Sequence, residues 1–126
     1  MLRNTLFSVV ICTMAVVTSQ AVLAHGGAKG VVKERMDLMD NMKDAMKSLS
    51  AIYKGEVKYD ADAVGKAALI IRDHSAEAMT RLFPKGSLHG PSEAKPIIWQ
   101  EWDRFERLAN RQKMISQGLH DAAGNK

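Results

Sequence analysis

The first long amphipathic pattern in the chain starts near residue 28. Val32, Arg35, Met39, Met42, Met46, Leu49 and Tyr53 follow alternating steps of three and four. Val31, Leu38, Ala45 and Ile52 run beside them at steps of seven. Lys33, Asp37, Asp40, Asp44 and Lys47 fall off the stripe. This is the broad apolar face of a bundle helix, and it predicts a helix over 28–54, stopped by Gly55. One member of the stripe is out of character. Arg35 puts a charge in a seam that should be buried, and a buried charge needs a partner.

Two further helices are predicted. Asp60 is a good N-cap for one over 61–82, and Asp62 adds favourable charge to its first turn. Its inward face would be Val64, Ala68, Ile71, Ser75, Ala78 and Leu82, whose small members allow a neighbour to come close. Pro84 cannot continue that helix. Residues 87–92 form a loop broken most clearly at Gly90-Pro91. The third helix starts within 93–96, where Pro96 suits a first turn, and runs to about Leu119. Its stripe is Ile98, Trp102, Phe105, Leu108, Ala109 and Ile115, with Trp99 beside it and a fraying tail over 121–126. No segment has strand periodicity. The class is all-α: an up-down helix bundle with three long helices. A fourth is missing, and the groove between the first and third has no cover. Such a groove predicts instability, self-association or partner binding.

The first 24 residues stand apart. Arg3 precedes an apolar stretch from Leu6 to Val17, and small residues close the segment at Ala21-Val22-Leu23-Ala24. That is the pattern of a cleaved secretory signal, predicted to end after Ala24 and to leave a domain over 25–126. Export places the domain in the periplasm, with no membrane attachment after cleavage. The apolar run is short for a bilayer span.

Composition narrows the chemistry. Of 126 residues, 18 are Lys or Arg and 14 are Asp or Glu. Setting Arg3 aside leaves a formal charge of +3, too mild and too dispersed to argue for nucleic acid. The one cysteine, Cys12, lies in the leader, so the domain beyond it has no disulfide, thiolate metal site or thioether link to haem. His25, His74, His89 and His120 show no metal-ligand spacing. No nucleophile elbow, phosphate loop or His-Glu-x-x-His motif is present, which argues against an enzyme.

The methionines remain. Met39 lies one turn from Arg35, and a thioether is a soft ligand for haem iron while an arginine pairs with a haem carboxylate. The same spacing also suits core filler beside a snorkelling arginine. Met36, Met39, Met42 and Met46 together would suit copper, or a methionine-rich core.

The ordered set Arg35-x-x-x-Met39-x-x-Met42, Lys58-Tyr59-Asp60-Ala61, Lys95-Pro96-x-x-Trp99 and Phe105 resembles cytochrome c′ and its low-spin relatives, the class II c-type cytochromes. The likeness spans nearly all of the mature chain. It implies an antiparallel four-helix bundle, commonly dimeric, that binds haem and transfers electrons to periplasmic redox partners. Arg35 would stand near a haem propionate. Met39 would ligate or block the distal side of the iron, and Met36 and Met42 would line the pocket. The family's fourth helix carries Cys-x-x-Cys-His, which attaches haem and supplies the proximal ligand. That motif is absent from these 126 residues. The expectation is therefore a relative cut short before its attachment helix, unable to hold haem covalently as written. A haem-free helical binding module (for a partner helix or a second copy) and a methionine-rich copper binder are the alternatives. Noncovalent haem held by Met39 and His120 is a further one.

Overall fold

The computed structural model describes residues 27–125. The leader, its cleavage point, Cys12 and His25 lie outside them. Five helices follow in order: α1 Gly30–Tyr53, α2 Ala61–Asp73, α3 Glu77–Thr80, α4 Ile97–Gln100 and α5 Trp102–Ala122. No strand occurs among the described residues.

Helix α1 ends as its sequence implies. Gly55 takes φ +73. Its N–H donates to Ile52 O, and the next N–H, of Glu56, donates to Ala51 O. This paired closure satisfies the last carbonyls, and the left-handed residue it needs favours glycine. Asp60 caps α2 by accepting from the N–H groups of Asp62 (2.9 Å) and Ala63 (3.1 Å). Asp60→Ala should therefore lower stability by about 1 kcal/mol in urea denaturation, with no change in fold.

Helices α1 and α5 each pack along α2 and make little direct contact with each other. Asn41 of α1 pairs with His74 at the C-cap of α2, and Arg35, earlier in α1, with Leu82 further along the chain. Pairings across α2 and α5 run Gly65 to His120 and Ala76 to Ala109. Both pairs of helices are thus antiparallel. Leu38, Met42, Ala45, Ala67, Ile71, Met79, Leu82, Phe83 and Ala109 form one buried cluster. Gly65 faces α5, where a Cβ would meet His120 Nδ1 at 3.4 Å, an ordinary contact.

Four expectations need correction. The helix predicted over 61–82 is two helices, broken at 74–76. The His74 ring bonds the Ile70 carbonyl, and Ser75 Oγ donates to Ile71 O. Side chains thereby take carbonyls at the end of the helix. The third predicted helix is likewise interrupted, at Glu101, where ψ is +38. The tail does not fray at Leu119: α5 continues to Ala122, and Ala123 is buried, its carbonyl accepting from Tyr59 Oη. Finally, Leu108 (55% exposed) and Ile115 (60%) are not core. They lie seven apart on the side of α5 away from α2. Met46 and Tyr53, also seven apart, are exposed on α1. Among the described residues no element covers the groove between these two faces.

Candidate functional site

Arg35 is buried, 5% exposed, and its partners all lie in the connection between α3 and α4. Its Nε donates to Leu82 O at 3.2 Å, and Nη2 donates to the same carbonyl at 2.9 Å. Nη2 also reaches Ser87 Oγ at 2.7 Å and Ser87 O at 3.3 Å. Nη1 donates to Ser92 Oγ at 2.8 Å and lies 3.4 Å from Ser87 O. The guanidinium carbon stands 4.1 Å from the centre of the Phe83 ring, a cation–π contact. Every one of these acceptors is neutral. Burial pushes the arginine below its ordinary pKa range, since desolvation penalises the charged form.

Phe83 is the meeting point of the site. Its ring packs edge-to-face on Phe105, with centroids 5.0 Å apart, and Phe105 packs the same way on Trp102 at 5.5 Å. Its carbonyl accepts from Trp99 Nε1 at 2.9 Å. Two successive carbonyls, of Leu82 and Phe83, are therefore held by side chains from two different helices. Arg35, Trp99 and Phe105 were each singled out in sequence, and the fold brings them to this one place. Phe83 itself carried no mark in the sequence beyond its place before the helix-ending Pro84. Its aromatic character directly before Pro84 was the available signal.

The four predicted cofactor residues divide. Arg35 is buried and bonded as above. Met42, 7% exposed, belongs to the core cluster and lines no open face. Met36 is half-buried. Met39 is 39% exposed and lies on the α1 face that borders the uncovered groove. Of the four, Met39 offers the freest thioether to an incoming group.

Two other donor sets do not converge. His120 sits between α2 and α5, its Nδ1 donating to Gly65 O at 3.3 Å. Met39 lies level with Ala76 and hence with Ala109. Eleven residues of helix put His120 about 16 Å further along α5. One iron cannot bridge Met39 and His120 in this fold. The methionines also fail to cluster for copper: Met39 and Met46 stand two turns apart, and Met42 between them turns into the core. Among the described residues no group of three or more His, Cys, Asp or Glu could hold a metal ion.

Comparison with known proteins gives a consistent picture. A family model described as cytochrome C′ matches residues 30–126. Cytochrome c-556 of Agrobacterium tumefaciens is 41% identical over 80 residues, covering 64% of this chain and 64% of that protein. Cytochrome c-554 of Cereibacter sphaeroides is 33% identical over 97 residues, covering 75% of this chain and 63% of that one. A solved structure of a variant of Rhodopseudomonas palustris cytochrome c′ superposes with a TM-score of 0.69 at 29% identity, covering 74% of this chain and 76% of that one. The chain thus spans 55–64% of the length of three of these curated cytochromes.

Proposed function

The chain belongs to the cytochrome c′ family, and we propose that it forms the distal side of a haem pocket in an exported electron carrier. One observation carries this reading: Met39 presents a partly exposed thioether on the uncovered face between α1 and α5, inside the segment that matches the family. Haem, when bound, supplies a one-electron couple. The chain's own part is to offer the Met39 sulfur as a soft neutral donor and to exclude water with the apolar residues of the groove. Met36 stands beside that face. The fit of the predicted site is partial, because Arg35 has no free donor and Met42 lies in the core. The leader-like residues 1–24 support a periplasmic location, where redox proteins of complementary surface would be the partners.

Covalent attachment is not expected from these residues, since a thioether link requires cysteine and Cys12 is the one cysteine. Expressed with haem-maturation machinery, the chain should show no haem stain after denaturing electrophoresis; a surviving stain would refute this. Noncovalent binding is read by titrating the chain with hemin and following the Soret band. The chain should bind, and Met39→Ala should abolish the spectroscopic signature of thioether ligation. Identical spectra for the two proteins would remove Met39 from the site.

A second reading rests on the exposed heptad-spaced residues Met46, Leu108 and Ile115. Lys43 is ion-paired with Asp40 and Arg104 with Glu101, so charge beside these residues is largely balanced. An amphipathic helix with a heptad-spaced apolar face has the matching chemistry. Sedimentation of the chain alone, and with such a peptide, tests this reading. A monomer that ignores the peptide counts against it.

A further inference from the structure

We infer that Arg35 is a clamp that fixes the 82–92 connection to α1, and that it does not receive a carboxylate of a bound group. This departs from the role that family resemblance implies for it, and it stands whether or not haem binds.

The inference starts from donor counting. A guanidinium has five N–H groups in a fixed planar fork. Here Nε and Nη2 both reach Leu82 O, Nη2 also reaches Ser87 Oγ, and Nη1 reaches Ser92 Oγ with Ser87 O close by. All three nitrogens are engaged. A carboxylate pairing bidentately would need two parallel N–H bonds from that fork. To supply them, Arg35 would have to abandon acceptors that are themselves buried: Leu82 and Ser87 are both nearly inaccessible to water.

The surroundings also fix the plane of the group. Phe83 covers one side of the guanidinium, and Phe105 in turn backs Phe83. Rotating the fork toward the groove would break that contact together with the hydrogen bonds. The neutral partners are consistent with the same role. Carbonyl and hydroxyl dipoles from residues 82, 87 and 92 converge on one cation, so a single side chain gathers three points of the connection. The connection in turn carries Phe83, whose carbonyl holds Trp99.

The test uses Arg35→Met, which keeps length and loses every donor, and Arg35→Lys, which keeps charge and loses the fork. Two readouts are needed. The first is amide hydrogen exchange in the haem-free chain at Leu82 and Phe83, whose N–H groups bond the Met79 and Thr80 carbonyls of α3, and at Ser87 and Leu88, whose N–H groups bond the Pro84 and Gly86 carbonyls within the connection. Both variants should exchange there at least tenfold faster, while α2 amides change much less. The second compares affinity for hemin with affinity for hemin dimethyl ester, whose carboxylates are blocked. The ratio of the two affinities should be the same in Arg35→Met as in the parent. A tenfold or greater loss for hemin alone overturns the inference, whatever the exchange shows; so does unchanged exchange in both variants. If Arg35→Met fails to fold, Arg35→Lys carries both measurements. If neither porphyrin binds the parent chain, the haem reading fails separately and exchange alone decides the clamp.

Discussion

Phe83→Ala should lower the unfolding free energy by about 3–5 kcal/mol, a loss expected for truncating a buried phenylalanine. The ring is nearly fully buried in the core cluster and touches two partners of different kinds. Its edge-to-face contact with Phe105 is worth about 0.5–1.5 kcal/mol beyond the area it buries. Its face covers the Arg35 guanidinium, so its removal also leaves a buried cation with less favourable surroundings. For a chain of this size such a loss is a large part of the whole stability. Urea unfolding followed by helical circular dichroism measures it. Phe83→Leu, which keeps most of the volume but no ring, should cost clearly less. If Phe83→Leu costs almost nothing, the aromatic contacts contribute nothing beyond packing; if it costs as much as Phe83→Ala, the ring contacts carry the loss.

The prediction depends on a residue that the sequence did not mark. Residues with a strong local signal were legible: the span of α1, the Gly55 stop, the Asp60 cap and the small inward face of α2. Each is set by propensity and periodicity within a few residues. The family was legible too, from an ordered set of weak motifs. What escaped were features decided by tertiary partners. Leu108 and Ile115 have the spacing of core residues and lie exposed, because periodicity reports which face is apolar and says nothing about whether a neighbour covers it. Met39 and Met42 look equivalent in sequence, yet Met42 points into the contact with α2 and Met39 toward the groove. Arg35 was recognised as needing a partner. Its partners are carbonyls and hydroxyls 47 to 57 residues away, which no local pattern encodes.

Ala76 is the other position where a single substitution should act strongly, and here the usual direction reverses. It holds φ +54 and ψ −131, and it is the one non-glycine residue with positive φ among those described. An L-residue in such a sparsely populated region carries strain of about 1–3 kcal/mol. Its N–H donates to Ala109 O at 3.2 Å, and its carbonyl accepts from Met79 and Thr80. These bonds fix the turn that ends α2 and starts α3. They tie it to α5 as well, at the level from which the chain proceeds to Leu82 and Phe83. Without the break, a continuous helix would carry residues 77–83 straight on along the α2 axis, away from the turn that α5 now holds. The strain is thus located where the chain is redirected toward the Arg35 and Trp99 contacts. Ala76→Gly should raise stability by about 1 kcal/mol, since relief of strain exceeds the added flexibility of the unfolded chain. Ala76→Val should lower it by about 2 kcal/mol or more, because a β-branched side chain tolerates this backbone least. Thermal or urea unfolding of the pair gives the sign directly. A glycine variant less stable than the parent would show that Ala76 is held without strain, and that packing of its buried methyl dominates instead.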